Sequence, residues 1–176
     1  MTKNQALPSF QLNKPAVADS TLIPIKFGKR SDVEETIAAL ISGEQVSVNV
    51  FSDGLALLKS LKYYLKKKHQ GETFVEQRAY REEYANLSQR VLLEVKNHQL
   101  TAKKSPDIGW LKILYPELEQ FQLSFPQIQG LNSSWQWYSN GITIPVLRNK
   151  IHPYYGVYFP TRFDHLILFD NWLKRY

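Results

Sequence analysis

The spacing of apolar residues in the first hundred positions most constrains how this chain can fold. Apolar side chains recur there at intervals of three and four residues, which predicts helices that each bury one face. Three such stretches are Val33, Ile37, Leu40 and Ile41; Leu58, Leu61 and Leu65; and Tyr80, Tyr84, Leu87, Val91 and Val95. Between the first two, Val46, Val48 and Val50 alternate with polar residues, which predicts a short strand. The first part of the chain is therefore expected to be mainly helical.

Capping residues indicate where these helices begin and end. Ser31-Asp32-Val33-Glu34 and Thr73-Phe74-Val75-Glu76 have the form of a capping box, in which a hydroxyl and a carboxylate satisfy free backbone N–H groups. Gly43 is placed to end the first helix, and Asp53 is placed to cap the second. The third helix is predicted over residues 74–98, in a helical hairpin with the second, with its tyrosines in the core.

The last third of the chain has a different pattern, rich in aromatic and β-branched residues. Two such runs, 135–138 and 142–146, flank Ser139-Asn140-Gly141, and Asn-Gly in this setting predicts a β-hairpin because both residues accept a positive φ. An extended stretch then leads to a predicted helix over about residues 163–174. The whole predicts an α+β fold: a mostly helical N-terminal part with a short strand, then a β-hairpin, an extended segment and a terminal helix.

Composition excludes several kinds of functional site. The 176 residues include no cysteine, which excludes disulfide frameworks, thiolate metal sites and thiol nucleophiles. The four histidines lack the spacing of metal ligands, and the sequence has neither a Gly-rich phosphate loop nor a serine-nucleophile elbow. No run has the length and apolarity of a membrane span or a secretion signal. We therefore expect no metal site, no catalytic residue and a cytoplasmic location.

Positive charge is concentrated in one segment. Residues 56–104 contain 11 Lys and Arg against 5 Asp and Glu, which accounts for the net charge of +6 of the whole chain. Such a face attracts phosphate backbones, and the candidate nucleic-acid-binding residues are Lys66, Lys67, Lys68, Arg78 and Arg81. A second interpretation needs no ligand, because lysines in the last turn of a helix complement its dipole.

Three short motifs follow one another in the last forty residues. They are Tyr138-Ser139-Asn140-Gly141 with the run to Val146, Val157-Tyr158-Phe159-Pro160-Thr161-Arg162, and Asp164-His165-Leu166-Ile167-Leu168-Phe169. This order resembles the stretch before the catalytic domain of class I S-adenosylmethionine-dependent methyltransferases, most closely the HemK-like group. There a β-hairpin leads into an apolar–apolar–Pro–Arg segment near the cleft, and a helix follows. Pro160 matches the proline, whereas Thr161 stands at the arginine position and Arg162 follows it.

The resemblance implies that this chain recognises a substrate. It predicts that the entrance to a cleft is lined by Tyr155, Tyr158, Pro160, Thr161 and Arg162. There the guanidinium of Arg162 would orient an anionic group. The Gly-rich cofactor loop and the Asn-Pro-Pro-Tyr type motif of that group are absent from the sequence. S-adenosylmethionine is thus expected to bind the full-length protein only, and this chain is expected to be an inactive, truncated part of it.

The same reading divides the chain into three parts. Residues 1–30 are predicted to form an arm, 31–130 a mainly helical recognition domain, and 131–176 a hairpin and linker helix leading to a missing catalytic domain. A connector predicted over 124–134 spans the boundary between the last two parts. The substrate would be a protein or an RNA. Two alternatives remain: a non-enzymatic nucleic-acid-binding domain that uses the basic 56–104 hairpin, and a protein adaptor anchored by Trp135, Trp137 and Tyr155.

Overall fold

The computed structural model describes residues 14–19, 21–71, 73–159 and 162–176. Its elements follow in the order β1 (Ile25–Phe27), α1 (Val33–Ser42), β2 (Val46–Val48), α2 (Phe51–Lys68), α3 (Phe74–Ser88), β3 (Val91–Lys96), β4 (Gln99–Leu100), α4 (Trp110–Leu114), β5 (Gln120–Ser124), α5 (Phe125–Asn140) and α6 (Asp164–Leu173). The fold is α+β, as the sequence predicts. None of these helices is both long and apolar enough to cross a membrane.

The strands form one mixed sheet. β1, β2 and β3 are parallel neighbours, with α1 as the first connection and the α2–α3 pair as the second. β5 pairs antiparallel with β3 over five residues, and β4 forms a short antiparallel pair with the end of β3. The prediction of one short strand therefore misses most of the sheet, and β1 lies within residues 1–30, which the sequence assigns to an arm.

The two faces of the sheet differ in chemistry. Alternate strand residues are buried in one cluster with apolar residues of α1, α2, α4 and α5; they include Val46, Val48, Val91, Leu93, Val95, Phe121 and Leu123. The intervening positions point to the opposite face. Apart from Leu92, these positions on β2, β3 and β5 are polar: Ser47, Glu94, Lys96, Gln120 and Gln122. The sheet thus has one apolar, helix-covered face and one polar face.

The helix ends follow the capping signals with small shifts. Asp32 caps α1, where its Oδ1 accepts hydrogen bonds from the N–H groups of Glu34 and Glu35 at 2.7 and 3.2 Å. The N-cap is therefore one residue later than the predicted Ser31. Gly43 ends α1 with φ of 109°, as predicted, and the capping box at Thr73 is confirmed. Asp53 lies inside the first turn of α2 and does not cap it.

The predicted helix over residues 74–98 is wrong after Ser88. α3 ends there, and Val91 and Val95 belong to β3, which is hydrogen-bonded on both sides. Their four-residue spacing fits a strand as well as a helix, because residues four apart also share one face of a strand. The first part of the prediction is confirmed, since α2 and α3 pack together as a helical hairpin.

The predicted β-hairpin over residues 135–146 and the connector over 124–134 are also wrong. Both overlap α5, which begins with a capping box: Ser124 N–H donates to Gln127 Oε1 at 2.9 Å, and Ser124 Oγ accepts from Gln127 N–H. Pro126 lies in the first turn of α5, where proline is tolerated, so it does not interrupt the helix. The predicted domain boundary at residues 130–131 lies inside this helix.

The chain does reverse beyond α5, but at a later point. Ile142 and Ile151 exchange two backbone hydrogen bonds of 2.8 and 3.0 Å and form an isolated antiparallel bridge. The last predicted helix is confirmed as α6.

Candidate functional site

The described residues predicted to line a cleft entrance differ in how far they are buried. Tyr155 is half-buried beside the core, and burial raises the pKa of its phenol. Tyr158 is 90% exposed and Arg162 is exposed. Pro160 and Thr161 lie outside the described residues. Of the three described members of this group, only Tyr155 packs against the core.

An aromatic cluster holds the segment after α5 against the core. Its centre is Trp110, which is fully buried in α4. The ring centroids of four neighbours lie 4.7–6.1 Å from it: Trp135, Tyr138, Tyr154 and Tyr155. Trp135 also packs so closely on Gly109 that a Cβ there would overlap its ring. Of the predicted adaptor anchors, only Trp137 is substantially exposed, at 45%.

α6 presents a large apolar surface. It consists mainly of Leu, Ile, Phe and Trp, yet none of its residues is buried. Leu168 is 70% exposed and Trp172 is 53% exposed. The rings of Phe169, Trp172 and Tyr176 follow one another at centroid distances of 6.0 and 5.2 Å. Contiguous exposed apolar surface of this kind is typical of a site that contacts another protein, a membrane or a ligand.

A strap, residues 14–19 and 21–24, lies beside the sheet. Three hydrogen bonds hold it: Ala18 N–H donates to the Gln122 carbonyl at 2.9 Å, Tyr115 Oη to the Pro15 carbonyl at 2.7 Å, and Gln127 Nε2 to the Ala16 carbonyl at 3.1 Å. Because β5, α5 and the residue after α4 each supply one contact, the strap is fixed relative to the whole sheet.

A groove of about 640 Å³ separates the strap from the polar face of the sheet. The strap contributes Leu22 and Ile23, and the sheet contributes Glu94. The Glu94 carboxylate accepts hydrogen bonds from Gln120 Nε2 at 2.7 Å and from Thr101 Oγ1 at 3.1 Å. Apolar residues of the strap and the polar side chains of Glu94, Gln120 and Gln122 thus line the groove together.

The strap contact gives a testable pH dependence. Burial raises the pKa of the Tyr115 phenol well above its ordinary value near 10, and burial also raises the pKa of Tyr84 and Tyr155. Above about pH 10 the tyrosines of the unfolded chain therefore lose protons that the folded chain retains. The free energy of unfolding should consequently be independent of these phenols below that pH and decrease as the pH rises above it. Urea denaturation at pH 8 to 11 measures this fall.

Tyr115→Phe should make that fall shallower, whereas Tyr158→Phe, at an exposed position, should leave it unchanged. An unchanged pH dependence in the Tyr115 variant would show that the buried phenol is not its source.

The basic residues of the α2–α3 hairpin have two kinds of surroundings. Lys68 Nζ lies 2.6 Å from a Glu83 oxygen, and Arg78 Nε lies 2.9 Å from a Glu82 oxygen. The hydrogen bond from Lys68 lowers the pKa of the Glu83 carboxyl. These two cations are therefore neutralised within the hairpin, which weakens the prediction that they bind nucleic acid.

The other three candidates are not neutralised in this way. Lys66 and Arg81 line the same shallow pocket between the helices. Lys67 Nζ lies 4.5 Å from the centroid of the Tyr63 ring. Among the described residues, none of the three forms an ion pair with a carboxylate.

The described residues do not fit S-adenosylmethionine. The turn after β1 is the place where a parallel sheet can hold a nucleotide on glycines that allow close approach. The turn here contains the single Gly28, and a Cβ at that position would meet nothing within 4 Å. In the described part of the chain no group of three or more His, Asp and Glu residues is placed to hold a metal ion. No protein-family model and no curated protein matches this sequence.

Proposed function

We propose that this chain is the substrate-recognition part of a class I S-adenosylmethionine-dependent methyltransferase, and that α6 docks it on the catalytic domain. The observation that carries the proposal is that α6 is apolar and buries none of its ten residues. A helix that is apolar around most of its circumference is stable in water when other protein covers it. We therefore assign the cover to the catalytic domain.

The segment before α6 supports the same docking surface. Val157 and Tyr158 are exposed there, and Phe159 contacts the exposed Trp137 ring edge-on at 4.9 Å. In the HemK-like group the corresponding extended segment and helix lie next to the catalytic domain. The hairpin of that group has no counterpart at residues 135–146, so the resemblance is carried by the extended segment and α6.

In this function the chain binds and positions a substrate. S-adenosylmethionine supplies the methyl group on the catalytic domain, and the residues described here take no part in the transfer. The groove below the strap and the surface of the α2–α3 hairpin are the two places where a substrate could be held.

The proposal predicts that the reading frame continues beyond codon 176, and that longer protein is used for the test. We expect it to encode a strand followed by a Gly-rich loop with an acidic neighbour. In that extended protein Leu168→Asp should destabilise the docked domain by about 2 kcal/mol or more, because it places a charge in an apolar interface. In the 176-residue chain the same change should shift the free energy of unfolding by less than about 0.5 kcal/mol, since the residue is exposed.

Asn171→Asp is the matched control, because it adds the same charge to α6 at an exposed, already polar position. It should have little effect in either protein. Equal effects of the two variants in the extended protein would contradict docking through α6. A stop codon directly after Tyr176, or binding of S-adenosylmethionine by the 176-residue chain, would contradict the methyltransferase assignment.

A further inference from the structure

We propose that the α2–α3 hairpin binds single-stranded nucleic acid. Phosphates of the strand contact lysine and arginine side chains in the groove between the two helices, and bases stack on exposed aromatic rings beside it. The proposal concerns elements other than α6, and it holds or fails independently of the proposed methyltransferase function.

The first observation is a row of cations without counter-charges. Lys59, Lys62 and Lys66 follow one another on α2 at intervals of three and four residues, so they share one stripe of the helix. No Asp or Glu lies three or four positions from any of them on α2, and the same is true of Arg81 on α3. Among the described residues none of the four forms an ion pair. Their charge is therefore available to a ligand.

Three of these cations, Lys62, Lys66 and Arg81, lie along the groove between α2 and α3. Lys66 and Arg81 line one pocket of about 270 Å³ from opposite helices. Lys62 Nζ lies over the Tyr84 ring at 5.1 Å, so this side chain also points toward α3. A carboxylate in the pocket, that of Glu76, already accepts a 2.6 Å hydrogen bond from the Thr73 hydroxyl. That bond leaves the negative charge of Glu76 in place, so with Lys66 and Arg81 the pocket keeps an excess of one positive charge and presents an ammonium and a guanidinium to a phosphate group.

The second observation is that the same two helices carry exposed aromatic rings. Tyr63 is 62% exposed on α2, and Phe74 is 78% exposed at the start of α3. The Tyr63 ring also carries the Lys67 ammonium at 4.5 Å. Stacking on exposed rings combined with a basic groove is the way in which single strands are bound without sequence preference. A duplex cannot use these rings because its bases are already stacked.

The sequence predicts that the tyrosines of the third helix, Tyr80 and Tyr84, lie in the core, and this is confirmed, since both pack against the core cluster. It makes no prediction for Tyr63. Tyr63 lies two positions from both Leu61 and Leu65, which places it off the buried stripe of α2. That offset is the signal in the sequence that could have identified it.

A nucleic acid fits this surface better than an acidic protein does. The row from Lys59 to Lys66 extends about 10 Å along α2 at 1.5 Å per residue, which suits the regularly repeated phosphates of a strand. An acidic protein could also contact the two aromatic rings, so competition by an acidic polypeptide is one arm of the test below.

Fluorescence anisotropy with an unstructured 20-nucleotide RNA and the matched RNA duplex tests the proposal on the 176-residue chain. At 50 mM salt we expect the single strand to bind at least fivefold more tightly than the duplex. The triple variant Lys62→Gln, Lys66→Gln, Arg81→Gln should weaken single-strand binding at least tenfold. It should also reduce the slope of log K against log salt by about 2, since about 0.7 is lost for each phosphate contact.

A second triple variant controls for net charge. Lys29→Gln, Lys112→Gln and Arg148→Gln remove the same charge from exposed positions on other elements and should weaken binding by less than threefold. The pair Tyr63→Ala, Phe74→Ala should weaken single-strand binding about fivefold or more while leaving duplex binding unchanged, and the exposed Tyr158→Ala should do neither. Circular dichroism checks that each variant is folded.

Three results would overturn the proposal. The first is the absence of single-strand binding at 50 mM salt, where phosphate contacts are strong. The second is an equal loss of affinity in the two triple variants, which would leave a general charge effect. The third is competition by polyglutamate as effective as that by unlabelled RNA, which would assign the surface to acidic proteins.

Discussion

Trp110→Ala should lower the free energy of unfolding by about 3–5 kcal/mol. The side chain is fully buried, and four other aromatic rings pack around it. The surrounding rings cannot close the resulting cavity easily, because Trp135 is already in tight contact with Gly109. The loss is one of packing alone, since Trp110 Nε1 has no hydrogen-bond partner among the described residues.

The same variant should loosen the segment that leads to α6. Tyr154 and Tyr155 contact the core through Trp110, so amide hydrogen exchange of residues 150–156 should become faster relative to that of β3. Urea denaturation followed by circular dichroism gives the stability, because it does not depend on tryptophan fluorescence.

Trp137→Ala is the matched control, since it removes the same side chain from an exposed position. We expect it to lower the free energy of unfolding by less than about 1 kcal/mol. Comparable losses in the two variants would contradict the role of Trp110 as the centre of the cluster.

Sequence periodicity identified α1, α2, the first part of α3 and α6 because each has a stripe of apolar residues or a capping signal that only a helix satisfies. It failed at β3, where Val91 and Val95 continue the spacing of α3 although the chain has changed conformation. On β3 the buried Leu92 lies on the otherwise polar face, so Val91, Leu92 and Leu93 form a continuous apolar run and the two-residue alternation that predicts β2 is interrupted.

α5 shows a different failure, in which local turn chemistry was given too much weight. Asn140 and Gly141 do end an element, but that element is a helix, whose last N–H bond runs from Gly141 to the Trp137 carbonyl. The aromatic run before them packs around Trp110, which is twenty-five residues from Trp135. Contacts of that range are not visible in a short window of sequence.

The sequence predicts which residue types the candidate surfaces contain, but it does not predict how their side chains are arranged. The basic segment was visible in the count of charges, yet only the structure shows that Lys68 and Arg78 are paired within the hairpin whereas Lys66 and Arg81 face one pocket. Likewise, the sequence predicts the helix over about residues 163–174 but makes no prediction of what covers its apolar side chains. None of the residues of α6 is buried in the structure. The spacing of apolar residues along the chain does not predict this, because burial depends on tertiary packing.

Gly54→Ala should destabilise the chain by about 1–3 kcal/mol, although alanine is the better helix former. A Cβ at position 54 of α2 would overlap the ring of Phe125. That ring is fully buried and lies 4.8 Å from the ring of Phe51, so it cannot move aside without disturbing the core. The steric term should therefore exceed the propensity gain of roughly 1 kcal/mol.

Gly130→Ala is the matched control, because this glycine also lies within a helix but has open space where the Cβ would stand. The same substitution should there raise the free energy of unfolding by about 0.5–1 kcal/mol. Adding Phe125→Leu to the Gly54 variant should cost less than the sum of the two single changes, because the smaller side chain relieves the overlap. Urea denaturation of the four variants gives these values. Effects of the same sign at the two glycines, or strict additivity in the double variant, would show that the contact between α2 and α5 does not require a glycine.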